Sequence, residues 1–340
     1  MHLTNLTSLA CSNPEEEDFK QFPLNLADVH IDKLQAAPVL SHLTRLQKLR
    51  LESPRCSDAE LLSIRGLPTL KSVTLSYGRR LLEKLVHIPH SSVWGGLVPE
   101  LQELTIDMWP PAFEEAVAQG IAAVTSLTKL ELSIYEHFDD CFDSDADEDY
   151  AETNLDLLNA ALAPLQQLHE LVLIVKPEEK KQFTFPSQLP STGLTRLQLE
   201  APMALPVLQT LCESAPQLQK LLINEAGFDD WDLELISPRL WCLKVLGLAH
   251  TQVSVDGVLR VLQSSRGLLP SIKVLVFSGH DLQDDARLFG AHSHSSDEEG
   301  EMRGDRRQRL SWGRSTCERI RSIRPMLAVF FVEGGIQCGI

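Results

Sequence analysis

Long apolar runs are missing from this 340-residue chain: the longest, Met326–Val332, falls far short of the ~20 residues that span a bilayer. No membrane partner is therefore expected. The amino terminus, MHLTNLTSLACSNPEEEDF, has no basic stretch followed by a long apolar core, so it does not read as a secretory signal. Positive charge is also short: 31 Lys plus Arg stand against 47 Asp plus Glu, a formal net charge of −16. Phosphate recognition needs a basic face, so nucleic acid is not the expected partner. The cysteines (Cys11, Cys56, Cys141, Cys212, Cys242, Cys317 and Cys338) are odd in number, scattered and without a CxxC pair. That argues against a disulfide-stapled secreted scaffold and fits reduced thiols in the cytoplasm, with the nucleus or the cytoskeleton or axoneme of a cilium as alternatives. Cys338 stands third from the end, one place away from a prenylation box.

Catalytic signatures are absent as well. There is no phosphate-cradling GxxxxGK loop, no GxGxxG after a strand, no HExxH and no GxSxG. The eleven histidines are dispersed among abundant acids, a weak reason to invoke acid–base chemistry. Trp94-Gly95-Gly96 and Trp109-Pro110-Pro111 read as loop punctuation. The sequence is expected to be non-enzymatic, with no catalytic residue, cofactor or metal.

Leucine is what the chain has instead, since aromatics supply only 6% of it. Its length is about twice that of an ordinary domain, and an internal repeat explains the excess. An aliphatic residue, two variable residues, an aliphatic, one variable residue and another aliphatic recur. The pattern stands at Leu46-Leu49-Leu51, Leu70-Val73-Leu75, Leu101-Leu104-Ile106, Leu127-Leu130-Leu132 and Leu168-Leu171-Leu173. It continues at Leu194-Leu197-Leu199, Leu218-Leu221-Ile223, Leu243-Leu246-Leu248 and Ile272-Leu275-Phe277. Three places before each triplet the residue is aliphatic in every unit but one, and proline follows it at Pro68, Pro99, Pro216 and Pro270. Proline there ends a helix and biases the chain toward extended structure. Helical stretches with i, i+3, i+4 apolar spacing are read at Asp58–Ile64, Phe113–Ala123, Asn154–Leu162 and Asp256–Leu262. A further unit is read at Leu6-Leu9-Cys11, while Phe19–Leu26 is too irregular to assign.

These units resemble leucine-rich repeats. The position three residues after the last strand aliphatic holds no asparagine ladder. Two units, LRLESPRCSDAELLSI and LGLAHTQVSVDGVLRVL, are instead similar to the ribonuclease-inhibitor-like and cysteine-containing repeats, with Ser57 and Ser254 as helix caps. The resemblance implies an α/β solenoid with a curved parallel sheet on the concave side and helices outside. It also implies a non-catalytic protein-interaction scaffold that binds a protein partner through the concave face. This subtype is common in F-box substrate receptors, so a substrate-recognition subunit of a ubiquitin ligase is the specific expectation, although no F-box-like module precedes the repeats. The alternatives are a cytoskeletal or ciliary assembly component and a regulatory enzyme such as a GTPase activator. The chain enters a repeat near Leu3 without an obvious cap, as expected of a fragment or a lineage-specific reduction.

The expected organisation is an irregular N-terminal repeat or cap over 1–42, repeats over 43–280, a polar, disordered linker over 281–325, and a capping strand or tail over 326–340. In the last segment Leu327-Phe330-Val332 repeats the strand spacing. An insertion over 136–156 carries ten acids. Its Asp143, Asp145 and Asp147 begin like a calcium loop, but Glu148 and Asn154 occupy the glycine and bidentate-glutamate places, which favours a plain solvated loop. His292 and His294 lack a third ligand nearby. From Arg303 onward eight arginines meet three acids, a basic tail on an acidic body.

In a strand the residues between the inward aliphatics face outward. Those positions run from Lys48, Arg50 and Glu52 through Ser72, Thr74 and Ser76 to Glu103, Thr105 and Asp107. Later units place Val172, Ile174, Leu222, Val245, Val274 and Val276 there, with Gly247 and Ala249 leaving room for close approach. These six apolar residues are the candidate partner-binding surface.

Overall fold

The computed structural model describes residues 6–12, 21–32, 40–52, 67–76, 100–108, 115–135, 155–176, 193–200, 205–224, 227–264, 269–278, 317–333 and 336–339. The chain divides into two compact units, Met1–Leu194 and Thr195–Ile340. The Asp58–Ile64 stretch with its Ser57 cap, residues 136–154 of the acidic insertion, and His292 and His294 lie outside the described residues.

In the first unit each described repeat contributes one strand. The strands are β1 (Ser8–Ser12), β2 (Asp28–Asp32), β3 (Lys48–Glu52), β4 (Ser72–Ser76), β5 (Glu103–Met108), β6 (Lys129–Tyr135) and β7 (Glu170–Lys176). Each pairs in parallel with the next, and the middle aliphatics stand abreast: Leu9, Val29, Leu49, Val73, Leu104, Leu130 and Leu171. From Val29 onward these residues are buried, as are Ile31, Leu51, Leu75, Ile106, Leu132 and Leu173 two places on. A one-residue slip would turn each of these aliphatics toward the other face, so the triplet spacing determines the register. β2 belongs to a repeat that the sequence reading left unassigned, Leu26-Val29-Ile31. Two helices, α1 (Glu115–Ala123) and α2 (Leu155–Leu162), touch one another. They bury Val117, Ile121, Leu158 and Leu162 on one stripe each.

The second unit repeats the scheme with β8 (Arg196–Glu200), β9 (Lys220–Asn224), β10 (Val245–Ala249), β11 (Val274–Ser278) and β12 (Ala328–Glu333). These pair in parallel in chain order, and β13 (Ile336–Gly339) returns antiparallel against β12. Its helices are α3 (Leu205–Ser214), α4 (Asp230–Ile236) and α5 (Val255–Gln263), with another over 317–323. The expected linker over 281–325 therefore ends too late. Cys317 and Ile320, one turn apart, are buried in a helix within it. The expected Leu327-Phe330-Val332 register is also off by one. Val329, not Phe330, pairs with Leu275 and is buried, while Phe330 pairs with outward Val276 and is half-buried. The chain spends one residue fewer between turn and strand here than in the other repeats, which moves Phe330 to the opposite face.

One turn opens almost every repeat. The first aliphatic of the triplet donates its N–H to the carbonyl three residues back: Leu46 to Leu43 at 3.0 Å, Leu70 to Leu67 at 3.3 Å, Leu218 to Ala215 at 3.1 Å and Ile272 to Leu269 at 3.3 Å. Pro68, Pro216 and Pro270 take the second position of these turns, where a fixed φ near −65° is already correct. Their role is thus to pre-form a turn. The carbonyl just ahead of most strands then accepts from two successive N–H groups of the next repeat, as Gln219 does from Lys244 at 2.8 Å and Val245 at 3.0 Å.

Candidate partner-binding surface

Of the six candidate residues, Val172 and Ile174 belong to the first unit, and Leu222, Val245, Val274 and Val276 to the second. Val172 is buried at 5% exposure and departs from the expectation, being largely covered in place. The other five are half-buried. Register brings the four of the second unit together: Val245 and Val274 are partners, and Leu222, Gly247, Val276 and Phe330 form the next cross-strand row. Lys220 and Ala328 flank the first of these pairs, Arg196 lies beside Lys220, and Gln198 lies beside Leu222.

Gly247 does not hold the face open. A Cβ there would overlap the Leu222 side chain, so Leu222 leans across the glycine and the position is buried. A larger neighbour occupies the space that the glycine leaves.

The outward face of the first unit has different chemistry. Arg50 Nη2 and His30 Nε2 each lie 2.9 Å from Glu52 Oε1. Ser76 Oγ donates to Asp107 Oδ2 at 3.2 Å. Burial raises the Asp107 carboxyl above its ordinary range; the Ser76 hydrogen bond opposes the shift and the nearby Glu131 charge adds to it. Lys129 stands 3.9 Å from Glu131.

The helices of the second unit are tied by a polar lock that the sequence reading saw only in part. Ser254 caps α5, accepting from Gly257 N–H at 3.0 Å, as expected. Asp230, on the first turn of α4, accepts from Ser254 N–H and Oγ at 2.6 Å each and from Arg260 Nη2 at 2.9 Å. Asp229 and Asp232 close a capping box on α4. Cys212 is buried on α3 and its thiol is pushed up to about 12 by burial, the Arg239 charge only partly offsetting this. Among the described residues no cluster of three metal-ligating side chains occurs, and no helix is long and apolar enough to cross a membrane.

One strand per repeat, parallel pairing in chain order and aliphatics in register define a leucine-rich repeat fold of the α/β class. No protein-family model matches the chain, and neither does any curated protein. Solved leucine-rich repeat structures do. A TLR13–ssRNA13 complex matches with 17% identity over 74% of this chain and a TM-score of 0.42. The chain spans 36% of the length of that chain. Internalin C2 of Listeria monocytogenes matches with 15% identity over 72% of this chain and 76% of its own, TM-score 0.33. LegL7 of Legionella pneumophila, a leucine-rich repeat-containing protein, matches with 14% identity over 85% and 92%, TM-score 0.39.

Proposed function

We propose that this chain is a non-catalytic, cytoplasmic interaction scaffold that holds a protein partner on the outward face of β9–β12. One observation carries the reading. In a chain of net charge −16, the in-register outward positions Leu222, Val245, Val274, Val276 and Phe330 are apolar and partly open. Charged or polar residues occupy most of the matching positions in the first unit. Contiguous, partly open apolar surface on a sheet is unfavourable in water and is the usual core of a protein contact. The finer role, substrate recognition for a ubiquitin ligase, is supported by the similarity of LRLESPRCSDAELLSI and LGLAHTQVSVDGVLRVL to repeats common in F-box receptors.

The test is a variant with Val245→Glu and Val276→Glu together. Proximity labelling in cells by the fused full-length chain should lose its dominant protein target in the variant while the melting temperature stays within a few degrees. An unchanged target set from a well-folded variant refutes the reading. Loss of folding would mean that the face is covered by the protein itself.

A further inference from the structure

The apolar face of the second unit has a cationic border on one side, and that asymmetry points to the chemistry of the partner. Resting on the reading above, we propose that the face takes an acidic, amphipathic segment of a partner protein. Its apolar side chains would lie on Leu222, Val245 and Val276, and its carboxylates along the N-terminal ends of the strands.

The first two outward positions of β8–β12 are Arg196 and Gln198, Lys220 and Leu222, Val245 and Gly247, Val274 and Val276, and Ala328 and Phe330. None is acidic, although acids outnumber bases 47 to 31 in the chain. Cations sit where the strands begin. Arg196 and Lys220 open β8 and β9, while Lys244 and Lys273 stand exposed immediately before β10 and β11. Lys244 Nζ donates to Gln219 Oε1 at 2.7 Å, a neutral partner that leaves its charge uncompensated by that contact.

The same border carries exposed apolar bulk. Trp241, at 55% exposure, lies in the turn entering β10, and Met326, at 95%, in the turn entering β12. An exposed tryptophan in the turn that also leads to Lys244, ahead of an apolar strip, suits a segment with both apolar and carboxylate groups. It supplies contact area where the lysines supply orientation. The corresponding places in the first unit mix Asp28, Glu103 and Glu170 with Lys48, Lys71 and Lys129, so no uniformly cationic border forms there.

The experiment is selection of a random 16-residue peptide display library on the full chain. Three variants run in parallel: Lys244→Glu with Lys273→Glu, Val245→Glu with Val276→Glu, and Trp241→Ala. Retention of the native melting profile is required of each. Enriched peptides should pair acids with leucine, isoleucine or phenylalanine. Synthesised, they should bind on the order of tenfold more weakly to the lysine variant, and more weakly as salt rises. They should lose binding to the valine variant and weaken on Trp241→Ala. Enriched peptides that are apolar but not acidic, lost with the valines and indifferent to the lysines, overturn this inference and leave the proposed face standing. Peptides that bind the valine variant unchanged overturn both. Absence of any enrichment also overturns both. If a labelled single-stranded RNA 13-mer binds with lysine dependence and no peptide does, the partner is a nucleic acid and the inference fails.

Discussion

Gly257→Ala should destabilise this protein, against the usual sign for a glycine in a helix. Within α5 the exchange would ordinarily add ~1 kcal/mol, because alanine loses less backbone freedom on folding. Here the new Cβ would fall within 3.0 Å of three atoms of the Asp230 carboxyl group. That carboxylate cannot swing away freely, since it accepts from Ser254 N–H and Oγ at 2.6 Å each. Breaking those two bonds costs roughly 3 kcal/mol taken together, the lower end of the range for two hydrogen bonds to a charged group because Asp230 can recover some water. The Arg260 pair contributes at most ~1 kcal/mol, its guanidinium being 54% exposed. The net expectation is a loss of ~2 kcal/mol. In an Asp230→Ala background the obstacle is gone and Gly257→Ala should stabilise by ~1 kcal/mol, giving a coupling of ~3 kcal/mol. Native-state amide exchange on peptides from 227–264 reads this locally, as a repeat array requires. If Gly257→Ala slows exchange equally in both backgrounds, the lock between α4 and α5 does not exist.

Leu130→Ala, which empties a fully buried site between β5 and β7, should cost about 2–5 kcal/mol, whereas Glu131→Ala on the outward face should be near neutral; equal melting shifts would show that the register is wrong. Asp107 has a folded carboxyl above its ordinary 3.8, so its contribution to stability is fully present below that value and is lost as pH rises through the raised one. Asp107→Asn should therefore raise the melting temperature more at pH 7 than at pH 3, and a parallel offset at both would refute the burial argument. Cys212, buried and pushed up to about 12, should resist iodoacetamide at pH 8 in the native protein and react in urea, as mass spectrometry of its tryptic peptide will show.

Repeat identity and strand register are local properties, and the sequence determined them. Two residues between the first and middle aliphatics, then one, repeated along the chain behind a further aliphatic, suit a turn followed by a strand, and this pattern places Leu49, Leu104, Leu221 and Leu275 in the core. The same rule covered Leu26-Val29-Ile31. That unit was missed because the place usually held by an aliphatic is Pro23, although its carbonyl accepts from Leu26 at 3.2 Å as in the other turns. The Ser254 cap was legible for the same local reason, whereas its partner Asp230 lies 24 residues earlier, on the preceding helix. Helix α3 went unread with Pro206 near its start, a position where proline needs no N–H partner. Exposure, by contrast, is set by neighbours that spacing does not specify. Alternation put Val172 and Leu222 on the outward face alike, yet packing buries the first and leaves the second half open across Gly247. The shift of β12 was likewise a tertiary decision. Both Val329 and Phe330 continue an apolar run, and only the connection after the turn, hydrogen-bonded from Leu327 to Arg324 at 3.0 Å and followed by the strand one residue sooner than in the other repeats, selects which of them faces the core.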